Sequence, residues 1–149
     1  MASATPTQRQ PRQRTGRREG PAIGEQQMRT GLLVVAAIQF LTGIWLLAAP
    51  GNFVDTIADF GQVDHHYLRD ISTAYLAMGA ALALSIGRPS WRVPVLFLVT
   101  VQYAIHTINH LFDISGTDPA WQGYFNFFSL LGLTVLLGWM LAGAARAER

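Results

Sequence analysis

Five polar side chains lie within the third apolar stretch of the chain, where a membrane-spanning helix is expected. They are Gln102, His106, Asn109, His110 and Asp113. At about 100° per residue, these positions fall within an arc of roughly 100° and form one polar stripe on one helix face. Such side chains are costly inside a bilayer. The stripe therefore predicts a functional site, or partners on neighbouring helices.

The histidines of this stripe have the spacing of metal ligands. His106 and His110 are four residues apart, as are His66 and Asp70 at the start of the second stretch, and the chain has no cysteine to supply thiolates. On a helix, a pair four residues apart can present two side chains to one ion. A divalent metal site is therefore predicted from His66, Asp70, His106, His110 and Asp113. The aspartates would bind the ion or hold the imidazole tautomers.

Three other interpretations of the same residues stay open. The first is a pocket for haem, a quinone or a lipid, with His106, Asn109, His110 and Asn126 as the cofactor-binding residues. The second is structural, because Asn and His join membrane helices through hydrogen bonds that contribute roughly 0.6–2 kcal/mol each. The third is a path for protons or ions.

The composition predicts the elements that position these residues. Half of the 149 residues are hydrophobic and 13% are charged, against about 25% in a typical soluble domain. Four apolar stretches of 17 to 20 residues approach the ~20 residues that cross a hydrocarbon core. They cover 31–49, 71–87, 93–112 and 124–143. We therefore expect an all-α polytopic membrane protein with four transmembrane helices in an antiparallel bundle.

The arginines predict the orientation of this bundle. Ten of the eleven lie before the first span, in the 88–92 connection or after residue 143, and the chain has no lysine. Basic residues gather on the cytoplasmic side, so both termini should be cytoplasmic. The expected location is a cell membrane, most simply a bacterial plasma membrane. The basic residues are thus orientation signals, and a nucleic-acid partner is not expected.

The chain divides into a tail, a membrane domain and a short end. Residues 1–27 are rich in Arg, Gln and Pro and should form a disordered cytoplasmic tail. The transmembrane domain covers 28–143, and 144–149 is a second cytoplasmic tail. In the 50–66 connection, Phe53, Val54, Ile57 and Phe60 recur at helical spacing, with Asp55 and Asp59 opposite. A short amphipathic helix is expected there, either as a lid on the bundle or simply at the membrane interface.

The register of the second and third spans follows from their short connection. Asp70 lies 18 residues before Arg88, and His110 lies 18 residues after Arg92. In an antiparallel hairpin both are then about 27 Å of helix rise from the turn. His66 and Asp70 should therefore face the stripe.

The chain resembles the DoxX-like small four-helix membrane proteins over roughly residues 31–143. The likeness rests on the four short spans, Trp45 followed by Ala49-Pro50, the segment Tyr67-Leu68-Arg69-Asp70, the small residues of the second span, and the third span ending in His106 to Asp113. Some proteins of that group are accessory subunits linked to membrane quinone oxidation. The resemblance therefore implies a quinone or partner-subunit role.

Two functions are compatible with these patterns. One is a non-catalytic membrane subunit or a bundle that binds quinone, lipid or haem in a polar pocket in the outer half of the membrane. Its partners would be the bilayer and a second membrane subunit or another copy of the chain. The alternative is a small membrane oxidoreductase or metal-dependent enzyme that uses the His66/Asp70/His106/His110/Asp113 cluster.

Overall fold

The structure, a computed structural model, describes residues 23–57, Gly61 and residues 64–149. This part of the chain is helical and contains no strand, which confirms the all-α prediction. The helices are α1 (Glu25–Ala48), α2 (Pro50–Ile57), α3 (His65–Gly87), α4 (Arg92–Phe112) and α5 (Trp121–Ala147), with a 3-10 turn at Pro89–Trp91. Four of them, α1, α3, α4 and α5, are long and apolar enough to cross a membrane, as in a multi-pass membrane protein.

The helices extend beyond the apolar stretches that predicted them. The start of α3 lies six residues before the predicted span, because Asp64 caps it: its Oδ1 accepts a hydrogen bond from His66 N at 2.8 Å. A side chain in this position satisfies one of the open N–H groups of the first turn. Hydropathy detects the apolar part of a helix and not the polar turns that begin it.

The predicted tail boundary at residue 27 differs from the structure. Residues 1–22 lie outside the described residues, but α1 begins at Glu25, and Ile23 packs against the apolar core. A Cβ on Gly143 of α5 would lie 2.3 Å from Ile23 Cδ1, so the two segments are in close contact. Residues 23–27 therefore belong to the bundle, since Ile23 and Glu25 both have partners in it.

The long helices form two pairs. In the first pair, α1 packs along α3, and in the second, α4 packs along α5. Gly43 permits the close approach of the first pair, because a Cβ there would lie 2.9 Å from Leu76 Cγ. In the second pair, the hydroxyl groups of Thr107 and Thr134 are 2.9 Å apart and hydrogen-bonded. Small and hydroxyl residues at the contacts are typical of membrane helix packing.

An apolar core joins the two pairs towards one end of the bundle, which we call the closed end. Its fully buried members include Leu32, Val35, Leu96, Val99, Leu137 and Met140. Gly31 of α1 lies against Met140 of α5, where a Cβ would be 2.8 Å from the thioether sulfur. These residues come from α1, α4 and α5, and α3 adds the fully buried Leu82.

A buried arginine fastens the closed end. Arg92 donates two hydrogen bonds to the Glu25 carboxylate, at 2.7 and 2.6 Å, which is the bidentate geometry of a strong charged pair. It also donates to the carbonyl oxygens of Ser85 and Ile86, at 3.3 and 3.4 Å. These carbonyls end α3 and have no partner within the helix. Arg92 thus links the starts of α1 and α4 to the end of α3, in addition to any role in orientation.

The pairing of α1 and α3 is tested by adding one methyl group. We expect Gly43→Ala to lower the free energy of unfolding by roughly 1–3 kcal/mol, because the methyl overlaps Leu76 and α1 must shift. Gly132→Ala in α5 is the matched control, because nothing lies within 4 Å of a Cβ there. Unfolding by sodium dodecyl sulfate in mixed micelles measures both. Equal stabilities of the two variants would contradict the close α1–α3 contact.

Candidate ligand-binding site

A cavity of about 570 Å³ lies where the two helix pairs separate, away from the closed end. Its walls are mainly apolar and come from all five helices, including Leu46, Val54, Ile71, Leu130 and Leu133. A few polar side chains interrupt them, chiefly Tyr75, Tyr103, His106, His110 and Asn126. Small-molecule sites are usually apolar cavities of ~300–1,000 Å³ with a few convergent polar groups. The cavity has the size and composition of such a site.

The two histidines of the predicted stripe meet at this cavity. His106 Nε2 and His110 Nε2 are 3.1 Å apart, so one ring donates a hydrogen bond and the other accepts it. The spacing of four residues places both imidazoles on one side of α4. An imidazole nitrogen donates in one tautomer and accepts in the other. A neutral histidine at the cavity can therefore take either role towards a ligand.

Two buried polar atoms on this part of α4 have no hydrogen-bond partner among the described residues. They are His106 Nδ1 and Gln102 Oε1, one helical turn apart. Buried polar groups in native structures are nearly always paired, and an unpaired one costs roughly 1–3 kcal/mol. The polar stripe of α4 is therefore not fully paired by the described part of the chain.

The other predicted ligands are not all brought to the cavity. His66 and Asp70 of α3 pair with each other at 3.6 Å, and their side chains are 83% and 67% exposed. The α3 residues that line the cavity are Tyr67, Leu68, Ile71 and Tyr75. Tyr67 and Ile71 follow His66 and Asp70 by one residue each, which is a rotation of about 100° around the helix, and Tyr75 lies one turn beyond Ile71. The rotation of α3 therefore turns His66 and Asp70 away from the stripe.

The remaining members of the predicted sets differ in their surroundings. Asn109 and Asp113 are exposed and do not line the cavity, whereas Asn126 does. Within the described ranges, no three His, Asp or Glu side chains are grouped so that they could hold a metal ion. Of the five predicted metal ligands, the cavity includes His106 and His110. The metal site itself stays a prediction.

The short helix α2 covers the cavity. It occupies Pro50–Ile57 of the connection where a short helix was predicted, while Asp59 and Phe60 lie outside the described residues. Phe53, Val54 and Ile57 line the cavity from above. α2 therefore forms one wall of the cavity.

Two amides of α5 hold α2 in place. Gln122 Nε2 donates to the carbonyl oxygen of Thr56 at 3.2 Å, and Asn126 Nδ2 donates to that of Ile57 at 2.6 Å. These carbonyls end α2, so they lack partners within the helix. At the other end of α2, Trp45 Nε1 donates to Asn52 Oδ1 at 2.9 Å. Asn126, predicted as a cofactor-binding residue, thus has its amide group engaged with α2.

A buried hydrogen bond forms the floor of the cavity. The Tyr103 hydroxyl donates to Gln39 Oε1 at 2.9 Å, and Gln39 Nε2 donates to the Met78 sulfur at 3.6 Å. Tyr103 and Tyr75 were not among the residues singled out from the sequence. A signal was present, because Val95, Val99, Tyr103 and Thr107 recur at helical spacing and are the buried face of α4. The predicted polar stripe lies on the adjacent face of α4.

Comparisons of the chain with protein-family models, curated proteins and solved structures found no match. They therefore leave the resemblance to DoxX-like proteins untested, and it stays a prediction.

The floor of the cavity is tested by removing one hydroxyl group. We expect Tyr103→Phe to lower the free energy of unfolding by roughly 1–3 kcal/mol, because Gln39 Oε1 is then buried without a partner. Tyr67→Phe is the control, since Tyr67 also lines the cavity but is 64% exposed. Both are measured by unfolding in mixed micelles. A loss at Tyr67 as large as that at Tyr103 would show that the buried bond is not the cause.

Proposed function

We propose that this protein binds a lipid-soluble molecule of the quinone class in the cavity. The observation that carries the proposal is an apolar cavity of about 570 Å³ with the hydrogen-bonded His106–His110 pair in its wall. A quinone ring presents carbonyl acceptors, and its reduced form presents hydroxyl donors. An imidazole nitrogen donates in one tautomer and accepts in the other, so a histidine in the cavity wall can serve either form. The apolar walls suit the ring and the first part of its tail.

The same geometry supports haem and phospholipids less well. His106 and His110 lie on one side of α4 and bond to each other, so they are not placed to bind a haem iron from opposite faces. A phospholipid head carries a phosphate, which proteins bind with arginine, lysine or helix N-termini. No arginine is among the described residues that line the cavity, and Asp64 contributes an acidic group at its edge.

A binding role is better supported than catalysis by the five-residue cluster. His66 and Asp70 face away from His106, so the arrangement that the enzymatic alternative needs is not assembled among the described residues. The protein would hold its ligand as a membrane subunit, alone, with a second copy or with a partner subunit. The resemblance to DoxX-like proteins, some of which are accessory subunits linked to quinone oxidation, agrees with this role.

The proposed setting is a bacterial plasma membrane, with an antiparallel bundle whose termini are both cytoplasmic. The distribution of arginine supports it, because Arg29, Arg88, Arg92 and Arg146 all lie near one set of helix ends. In this orientation the closed end is cytoplasmic, and the cavity lies in the outer half of the membrane.

The binding proposal is tested with decylubiquinone, a benzoquinone with a ten-carbon tail. We expect the protein in nanodiscs to bind it, and His106→Leu to weaken binding by roughly tenfold or more, the equivalent of about one hydrogen bond. His66→Leu is the matched control, since His66 is exposed and outside the cavity. Equilibrium titration gives the dissociation constants. No binding by the wild-type protein, or equal losses in both variants, would refute the site.

The orientation is tested with single cysteines, because the chain has none of its own. A membrane-impermeant maleimide added to intact cells should label Gly61→Cys and Ser115→Cys, which lie in the two proposed outer connections. It should label Ser90→Cys, in the 3-10 turn, only after the cells are broken. Labelling of Ser90→Cys in intact cells would reverse the proposed orientation.

A further inference from the structure

The cavity has two openings of different chemistry. At the start of α3, the lining residues Asp64 and Tyr67 are exposed, which makes a polar opening near the end of the bundle. Deeper along the helices, the exposed lining residues belong to α1 and α5. They are Ile38, Phe125 and Ser129, and the first two are 37% and 52% exposed. We call this second opening the α1–α5 seam.

The α1–α5 seam is the side on which the bundle separates within the membrane-spanning segments. Nearer the closed end, Gly31 of α1 lies against Met140 of α5, and Ile23, just before α1, lies against Gly143. Further along, the cavity lies between them. On the other side of the cavity, Ile71 and Tyr75 of α3 and His106 of α4 are only partly exposed. The hydrocarbon of the bilayer therefore meets the cavity mainly at the α1–α5 seam.

The remaining directions are covered among the described residues. Phe53 and Ile57 of α2 lie above the cavity, and α2 is held by the amides of Gln122 and Asn126. Below it, the Tyr103–Gln39 hydrogen bond and the apolar core fill the bundle. A molecule whose head contacts the histidines of α4 has an apolar exit on the α1–α5 side. A polar exit lies at Asp64 and Tyr67.

We infer that the ligand is a tailed amphiphile that exchanges with the bilayer through the α1–α5 seam, where its alkyl or isoprenoid tail lies. This rests on the proposed function and names its ligand class further: a quinone with a long apolar tail, dissolved in the membrane, and not a water-soluble one. The tail lies against Ile38 and Phe125 because apolar surface is favourable there and unfavourable in the polar opening. The head reaches the His106–His110 pair.

The inference is tested by filling the α1–α5 seam with bulky side chains from both of its walls. The variants are Ser129→Trp on α5 and Ile38→Trp on α1, so that either can be used if the other does not fold. Their controls are Leu131→Trp and Leu41→Trp, which add the same side chain to exposed positions of the same helices outside the cavity. Two probes are titrated in nanodiscs: decylubiquinone, which has a tail, and duroquinone, which has none.

Each seam variant should weaken decylubiquinone binding by roughly tenfold or more and leave duroquinone binding within about threefold of wild type. The control variants should bind both probes like the wild type. If the seam variants bind decylubiquinone normally, or lose both probes equally, the α1–α5 seam does not hold the tail, while the proposed site stands. If the wild-type protein binds neither probe, the proposed function fails as well.

Discussion

The hydrogen bond between Tyr103 and Gln39 joins the two helix pairs at the level where they separate. Tyr103 is 3% exposed and Gln39 is fully buried, and the Gln39 amide also contacts the Met78 sulfur. Inside a bilayer no water replaces a lost partner, so a buried amide without one is costly. The bond therefore fixes α4 against α1. His106 lies about one turn beyond Tyr103 on α4, so its position depends on the same bond.

Most of the fold was predictable because it depends on local sequence. A chain that crosses a bilayer must satisfy its backbone within the segment, so each long apolar stretch indicated a helix. The short helix in the 50–66 connection followed from the spacing of Phe53, Val54 and Ile57 in the same way. The start of α1 could not be predicted from local sequence, because Glu25 is held by Arg92, 67 positions away in the sequence. Hydropathy carries no information about such a pair.

The candidate site was predictable on one helix and not between helices. The spacing of His106 and His110 placed both on one side of α4, and the structure brings them within hydrogen-bonding distance. Whether His66 joins them depends on the rotation of α3 about its axis. That rotation is set by contacts with α1, where Gly79 packs against Phe40 and Gln39. The level of a residue in the membrane can be counted along the chain, but its direction depends on packing that the sequence pattern does not contain.

A polar residue in a membrane span can serve architecture or function, and its partners distinguish the two. Asn126 was a candidate ligand-binding residue, yet its side-chain amide donates to the carbonyl oxygen of Ile57 at the end of α2. Thr107 likewise pairs with Thr134 across the second helix pair. His106 differs, because its Nδ1 is buried with no partner in the described part of the chain, while its side chain lines the cavity. A buried polar atom without a partner lowers the free energy of unfolding. The His106 imidazole lines the cavity, whereas the Asn126 amide donates to α2, so we propose His106 and not Asn126 as the ligand-binding residue.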